Sequence, residues 1–393
     1  TAELKALDRA HNFYSWSIQG TVAPMMVDHA EGMYVYDTEG EKYLDFSSQL
    51  VNTNIGHSHP VVVKAIQEQA ATLATVGPAF SSRPRVEAAS AIVELAGDDF
   101  QKVFFTNGGA DAIENAIRAA RLFTKKNKVL STYRSYHGNT GAAIVATGDW
   151  RRQPNEYATH HAHFFGPFLY RSEFWSDSEA QECERALHHL ERVIQSEGPD
   201  TIAAILLESV PGTAGIMVPP AGYLAGVRQL CDRYGILMIL DEVMAGFGRT
   251  GYWFAFHAHD VVPDMITFAK GVNSGYVPVG GVIFHQKISD YFEDTMFPGG
   301  LTYSGHPLAM ASITAALGAM KAEGMVENAK AMGDNHFRPG LATLATTHPV
   351  IGDVRGLGCF FALDLVADPV TKAPLDAASM GRIKGELLAR RLL

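Results

Sequence analysis

Six short apolar runs recur along the chain, at residues 102–106, 129–132, 202–207, 236–240, 265–269 and 280–284. They show little polar alternation, which suits strands buried on both faces of a parallel sheet. Between them lie longer amphipathic stretches such as 112–123 and 221–234, where apolar residues return at helical spacing. Strand runs alternating with helical ones predict an α/β fold, a mostly parallel mixed sheet between helices. The flanks read differently. Residues 25–47 predict a small antiparallel unit, with Gly40 turning the chain between Tyr34-Val35-Tyr36 and Tyr43-Leu44-Asp45-Phe46. A helix is expected over 311–322, a strand over 358–365, and a helical pattern from Met380 to Leu388 runs on without a cap.

At 393 residues the chain exceeds one small core. A large domain over 51–310 is expected, with a smaller α+β domain assembled from residues 1–50 and 311–393, its C-terminal part incomplete. No internal repeat or low-complexity tract interrupts this layout. A hydrophobic fraction of 47% suits a globular protein. No apolar run approaches the ~20 residues of a membrane helix. The formal net charge of −10 argues against nucleic acid and anionic membranes as partners. Cys183, Cys231 and Cys359 are too scattered for a disulfide framework, so a reducing, cytoplasmic setting is expected.

Two ionisable residues stand at the ends of apolar runs: Asp241 after Ile236-Leu237-Met238-Ile239-Leu240, and Lys270 after Met265-Ile266-Thr267-Phe268-Ala269. Glu208 closes a third run. Ligands of open α/β sheets bind at the carboxyl ends of strands. A lysine there forms Schiff bases, and a carboxylate holds a pyridine nitrogen protonated. Pyridoxal phosphate chemistry needs that pair. Val243, two residues beyond Asp241, falls on the same strand face and suits packing on the ring, whereas Glu242 points away. The bland alternatives are a strand-end salt bridge or metal site at Asp241-Glu242 and a solvated loop lysine.

Thr106-Asn107-Gly108-Gly109-Ala110-Asp111-Ala112 follows a strand run and opens a helix. Such a start offers free N–H groups and a favourable dipole to a phosphate. Gly246-Phe247-Gly248-Arg249-Thr250-Gly251 matches G-x-G-x-x-G, but Tyr252-Trp253-Phe254-Ala255-Phe256 follows instead of a helix. The match is read as accidental, which argues against a nicotinamide enzyme. Ser135-Tyr136-His137-Gly138-Asn139 follows another strand run. Tyr136 there can stack on an aromatic cofactor, a contact worth ~0.5–1.5 kcal/mol. His160, His161 and His163 lack metal-ligand spacing and are read, like His188-His189, as ordinary polar residues, the first three in a loop.

In order and spacing, the motifs resemble those of the class III aminotransferases, pyridoxal phosphate enzymes of fold type I. The matching pieces are Asn107-Gly108-Gly109-Ala110-Asp111-Ala112, Tyr136-His137-Gly138, Asp241-Glu242-Val243 with residues 246–251, Lys270-Gly271, and Thr302-Tyr303-Ser304-Gly305-His306-Pro307. The resemblance as a whole runs from about Gly32 to Leu365. The resemblance implies that Lys270 forms the internal aldimine and shuttles a proton, and that Asp241 pairs with the pyridine nitrogen. It places Tyr136 and Val243 on the two ring faces, with His137 and Glu208 beside them. Gly108, Gly109 and Ala110 bind the phosphate, joined by Thr302 of a neighbouring subunit, which implies a homodimer with shared active sites. Within the class the chain looks most like the ω-amino acid or amine:pyruvate branch. Residues 46–57 sit where that branch lines its pocket, with Phe13, Trp16, Leu50 and Val51 as candidate substrate contacts. The branch's carboxylate-gripping arginine has no assigned counterpart. The implied activity is ping-pong transfer of an amino group from an amine donor to an oxo-acid such as pyruvate. A 2,1-aminomutase or a decarboxylating transaminase on the same scaffold is the nearest alternative, a non-catalytic or metal-binding α/β protein the more distant one.

Overall fold

The computed structural model describes residues 2–155 and 159–393. Its strands are β1 (Val27–Glu31), β2 (Tyr34–Asp37), β3 (Lys42–Leu44), β4 (Phe100–Thr106), β5 (Lys128–Thr132), β6 (His161–Phe164), β7 (Ile202–Glu208), β8 (Leu237–Asp241), β9 (Met265–Phe268), β10 (Gly280–His285), β11 (Ile351–Leu357), β12 (Phe360–Asp368) and β13 (Ala373–Pro374). Seven form one mixed sheet in the order β4-β10-β9-β8-β7-β5-β6. β10 runs antiparallel to both its neighbours, and the strands from β9 to β6 are parallel.

The unbroken apolar runs follow from two cores. Ala204, Leu206 and Ile239 face one side of the sheet, packed with Ile113, Ala116 and Ile117 of helix Gly109–Thr124. Ile205, Leu207 and Leu240 face the other, against Ile92, Leu190, Val227 and Ile313 from four further helices. A strand covered on both faces has no solvent side on which polar residues could alternate.

The expected antiparallel unit over 25–47 has three strands, β1-β2-β3, with Gly40 at φ 84° in the turn. β1 is mostly exposed and carries no strong apolar signal. At the other end of the chain β11, β12 and β13 form a second antiparallel sheet. The chain ends meet: Leu44 N–H donates to Arg391 O (2.8 Å), Leu393 N–H to Leu44 O (3.0 Å) and Ser47 N–H to Leu393 O (3.0 Å).

The loop reading of the histidines at 160–163 is corrected. His161 and His163 lie on β6, an edge strand parallel to β5. His161 Nε2 meets Ser131 Oγ at 2.8 Å, and His163 Nε2 meets Thr147 O at 3.1 Å. Burial holds both rings well below the ordinary imidazole range, His163 at about 4. They are neutral hydrogen-bonding members of a strand, which an apolar pattern does not reveal.

β8 ends at Asp241, and Glu242 turns to the opposite side. Its Oε2 accepts the Ala255 N–H (2.9 Å) and its Oε1 the Phe256 N–H (3.0 Å), fixing the short helical turn Ala255–Ala258. Burial pushes this carboxyl up to about 7, against the backbone bonds that lower it. With the folded value above the unfolded one, the native state binds the extra proton between about pH 4.5 and 7. Stability therefore falls as pH rises through that window, by roughly 3 kcal/mol from this group. Replacing Glu242 by Gln should flatten the decline in melting temperature between pH 5 and 8. An unchanged slope would remove Glu242 as its source.

Candidate active site

The carboxyl ends of β7, β8 and β9 bring three charges together. Glu208 and Asp241 are register partners on adjacent strands, and Lys270 follows the end of β9 by two residues. Asp241 is only 4% exposed. Its Oδ2 lies 2.7 Å from His137 Nδ1, and its Oδ1 accepts the Val243 N–H at 3.0 Å. A buried carboxylate survives when donors replace its water. An ionised Asp241 assigns the Nδ1 proton to His137. The backbone of His137 is itself anchored, its N–H donating to Thr147 Oγ1 at 3.0 Å.

Glu208 accepts the Tyr136 N–H (3.1 Å) and the Gly212 N–H (2.8 Å), so one carboxylate holds two loops over the strand ends. Burial raises its pKa, Asp241 adds to that, and His137 opposes it. Lys270 sits at φ 45°, a left-handed backbone that costs a non-glycine residue about 1–3 kcal/mol. Burial lowers its pKa, while Asp241 and Glu208 pull the other way. Among the described residues its amine has no hydrogen-bond or ion-pair partner. It is thus a desolvated nucleophile beside two acids.

Helix Gly109–Thr124 starts behind β4 with no side chain capping it. Its first turn is tightly packed. A Cβ on Gly138 (φ 133°) would lie 2.5 Å from Ala110 Cβ, and one on Gly109 would lie 3.1 Å from both Val243 methyls. Val243 therefore reaches the helix start. It does so from a turn beyond the end of β8, and the expected strand alternation plays no part. Uncapped N–H groups in such a cradle suit a phosphate.

Tyr136 stands beside this cradle. The Arg151 guanidinium lies 3.9 Å from its ring centroid, and Trp16 meets it edge-on at 6.3 Å and 79°. Arg151 is oriented by Asp149, whose Oδ2 accepts from its Nε at 3.0 Å. Sequence reasoning did not find Arg151, because no spacing links residue 151 to residue 136. Phe13 and Leu50 are 88% and 62% exposed, and Thr302 is exposed as well. Among the described residues none of these three makes a hydrogen bond, ion pair or ring contact with the group around Lys270. Val51 packs toward Val210, Ala245 and Phe360.

Residues 17–387 match the model of the family Aminotransferase class-III. The chain belongs to the class III aminotransferase family. It is a pyridoxal phosphate-dependent aminotransferase that moves an amino group to an oxo-acid. It is similar to the taurine–pyruvate aminotransferase of Bilophila wadsworthia, 33% identical over 98% of this chain and 87% of that protein. The solved taurine:2-oxoglutarate aminotransferase of Bifidobacterium kashiwanohense, in complex with PLP and glutamate, is 43% identical with a TM-score of 0.96. That match covers 100% of this chain and 90% of the other. An (S)-enantioselective ω-transaminase of Thermomicrobium roseum is 35% identical with a TM-score of 0.95, covering 100% and 91%.

His137→Phe would leave the buried Asp241 short of one charged hydrogen bond, worth roughly 1.5–3 kcal/mol. The aminotransferase should then bind pyridoxal phosphate about ten- to a hundredfold more weakly. Fluorescence titration of the apoenzyme reads this directly, and an unchanged dissociation constant would contradict the assignment.

Proposed function

We propose that this aminotransferase takes an ω-amino acid or related amine as donor and pyruvate as acceptor, in ping-pong order. The observation that carries the reading is the convergence of Lys270, Asp241 and Glu208 at adjacent strand ends, beside an uncapped helix start.

The residues fit pyridoxal phosphate. Gly108, Gly109 and Ala110 present backbone N–H groups to the phosphate. Asp241, held by His137, keeps the ring nitrogen protonated. Tyr136 and Val243 would pack on the ring, with Glu208 fixing the Tyr136 loop. When bound, the cofactor supplies the electron sink for the substrate carbanion. Lys270 would carry the covalent attachment and move the proton at the substrate carbon, burial lowering its pKa toward the nucleophilic amine. Thr302, exposed on the protomer, reaches the phosphate of a second copy, which makes the functional unit a homodimer with shared sites. The three free cysteines suit a cytoplasmic enzyme.

Arg151, ion-paired with Asp149, is our candidate for meeting the distal acid. It is a cation beside Trp16 and Tyr136, positioned to pair with the terminal acid group of an ω-amino acid. Two relatives named for taurine, an amine ending in a sulfonate, support that class of donor. Trp16 and the residues Phe13, Leu50 and Val51 are our candidates for the remaining pocket wall, on the reading that a second copy covers the exposed ones.

A donor and acceptor panel tests the reading. Taurine, β-alanine and 4-aminobutyrate should convert pyruvate to alanine, and Lys270→Ala should reduce turnover on the order of a thousandfold. No alanine from any donor, or near-normal turnover by the variant, would defeat it. Arg151→Ala should raise KM for the acidic donors about tenfold and leave an uncharged amine such as 1-phenylethylamine unaffected. Equal effects on both would remove Arg151 from acid recognition.

A further inference from the structure

The Gly246-Phe247-Gly248-Arg249-Thr250-Gly251 turn delivers Arg249 to an unusual place. Arg249 Nη2 donates to Ser48 Oγ (2.9 Å) and to Asn54 Oδ1 (2.6 Å), and among the described residues no carboxylate lies within ion-pair distance of it. Asn54 then donates from Nδ2 to Phe247 O (2.8 Å), so one amide is gripped from both sides by a single turn. The close glycines of that turn serve packing. A Cβ on Gly251 would lie 2.7 Å from Lys330 Cβ, and one on Gly246 would lie 2.7 Å from Glu242 O.

The segment so gripped is strained and leads to the lysine. Ser48, Gln49 and Val51 have φ of 56°, 57° and 58°, all in the left-handed region. Three such residues together store several kcal/mol and persist only where the surroundings over-determine them. On the far side, Asn54 presses on Gly271, where a Cβ would come within 2.3 Å of Asn54 Nδ2. Asn52 presses likewise on Gly275, again at 2.3 Å, and Ile55 N–H donates to Ser274 Oγ at 3.1 Å. Gly275 N–H in turn donates to Lys270 O at 3.1 Å. A cavity of about 420 Å³, lined by Ser48, Asn54, Phe247 and Arg249 among others, borders the joint.

We infer that Arg249 and Asn54 form a joint that holds the strained segment 48–54 against the Lys270 turn, making both of them positioning residues for the substrate. This rests on the reading of Leu50 and Val51 as pocket residues. Neither side chain touches the reacting atoms. Their task is to fix the pocket wall relative to the lysine, and loss of the joint lets the segment relax toward ordinary backbone angles.

The test compares the wild-type holoenzyme with Asn54→Ala and Arg249→Lys by hydrogen exchange and steady-state kinetics. In Asn54→Ala the amides of residues 48–55 should exchange at least tenfold faster, with residues 202–207 of β7 unchanged as the internal reference. KM for the amine donor should rise about tenfold, with kcat within threefold and cofactor affinity preserved. Arg249→Lys, which keeps the charge and one donor, should fall between wild type and Asn54→Ala. Should Asn54→Ala not fold, Arg249→Lys alone decides by the same readouts. Exchange that rises across the whole chain, unchanged exchange at 48–55, or an unchanged KM overturns the inference. Wild-type protein that transaminates no donor would defeat the functional reading instead, and the exchange measurement, which needs no substrate, still decides the joint.

Discussion

A buried carboxylate needs donors in place of water, and at Asp241 two donors from different parts of the chain supply them. His137 comes from the loop after β5 and Val243 from the turn after β8. Satisfying Asp241 therefore fixes both segments over the end of the sheet. Tyr136 is placed by the same loop, and the Val243 methyls are brought to the start of helix Gly109–Thr124. The elements that would surround a flat, anionic cofactor are thus set by the requirement to satisfy one buried carboxyl group.

The neighbouring charges are arranged to differ from one another. Glu208 is pushed toward its neutral form by burial and by Asp241, and the Lys270 amine is pushed toward neutrality by burial. Asp241 alone keeps a dedicated imidazole. Groups driven apart in this way divide the labour of acid, base and nucleophile within a few ångströms. The parallel sheet makes this possible, because it delivers β7, β8 and β9 to one edge with their carboxyl ends aligned.

Much of this was legible in the sequence. A strand with two covered faces must be apolar throughout, so the runs ending at Glu208, Asp241 and Lys270 announced the strands and the edge at which these ionisable groups gather. Gly108-Gly109 marked the helix start because only a particular chemistry suits a tight turn into a helix. What stayed hidden depended on contacts between distant residues. β6 was missed because His161 and His163 satisfy themselves through Ser131 and Thr147, a partnership no periodicity records. Arg151 was missed because its link to Tyr136 is a stacking contact across a loop. The glycine-rich turn at 246–251 was given no role, since its contact lies in Asn54, 195 residues from Arg249.

The central claim is that Asp241, held by His137, would keep the ring nitrogen of the bound cofactor protonated. Nitrogen-15 NMR of the holoenzyme loaded with ring-labelled pyridoxal phosphate tests it directly. The account predicts a pyridinium resonance at neutral pH that moves toward the unprotonated position in Asp241→Ala. An unprotonated ring nitrogen in the wild-type enzyme would contradict it.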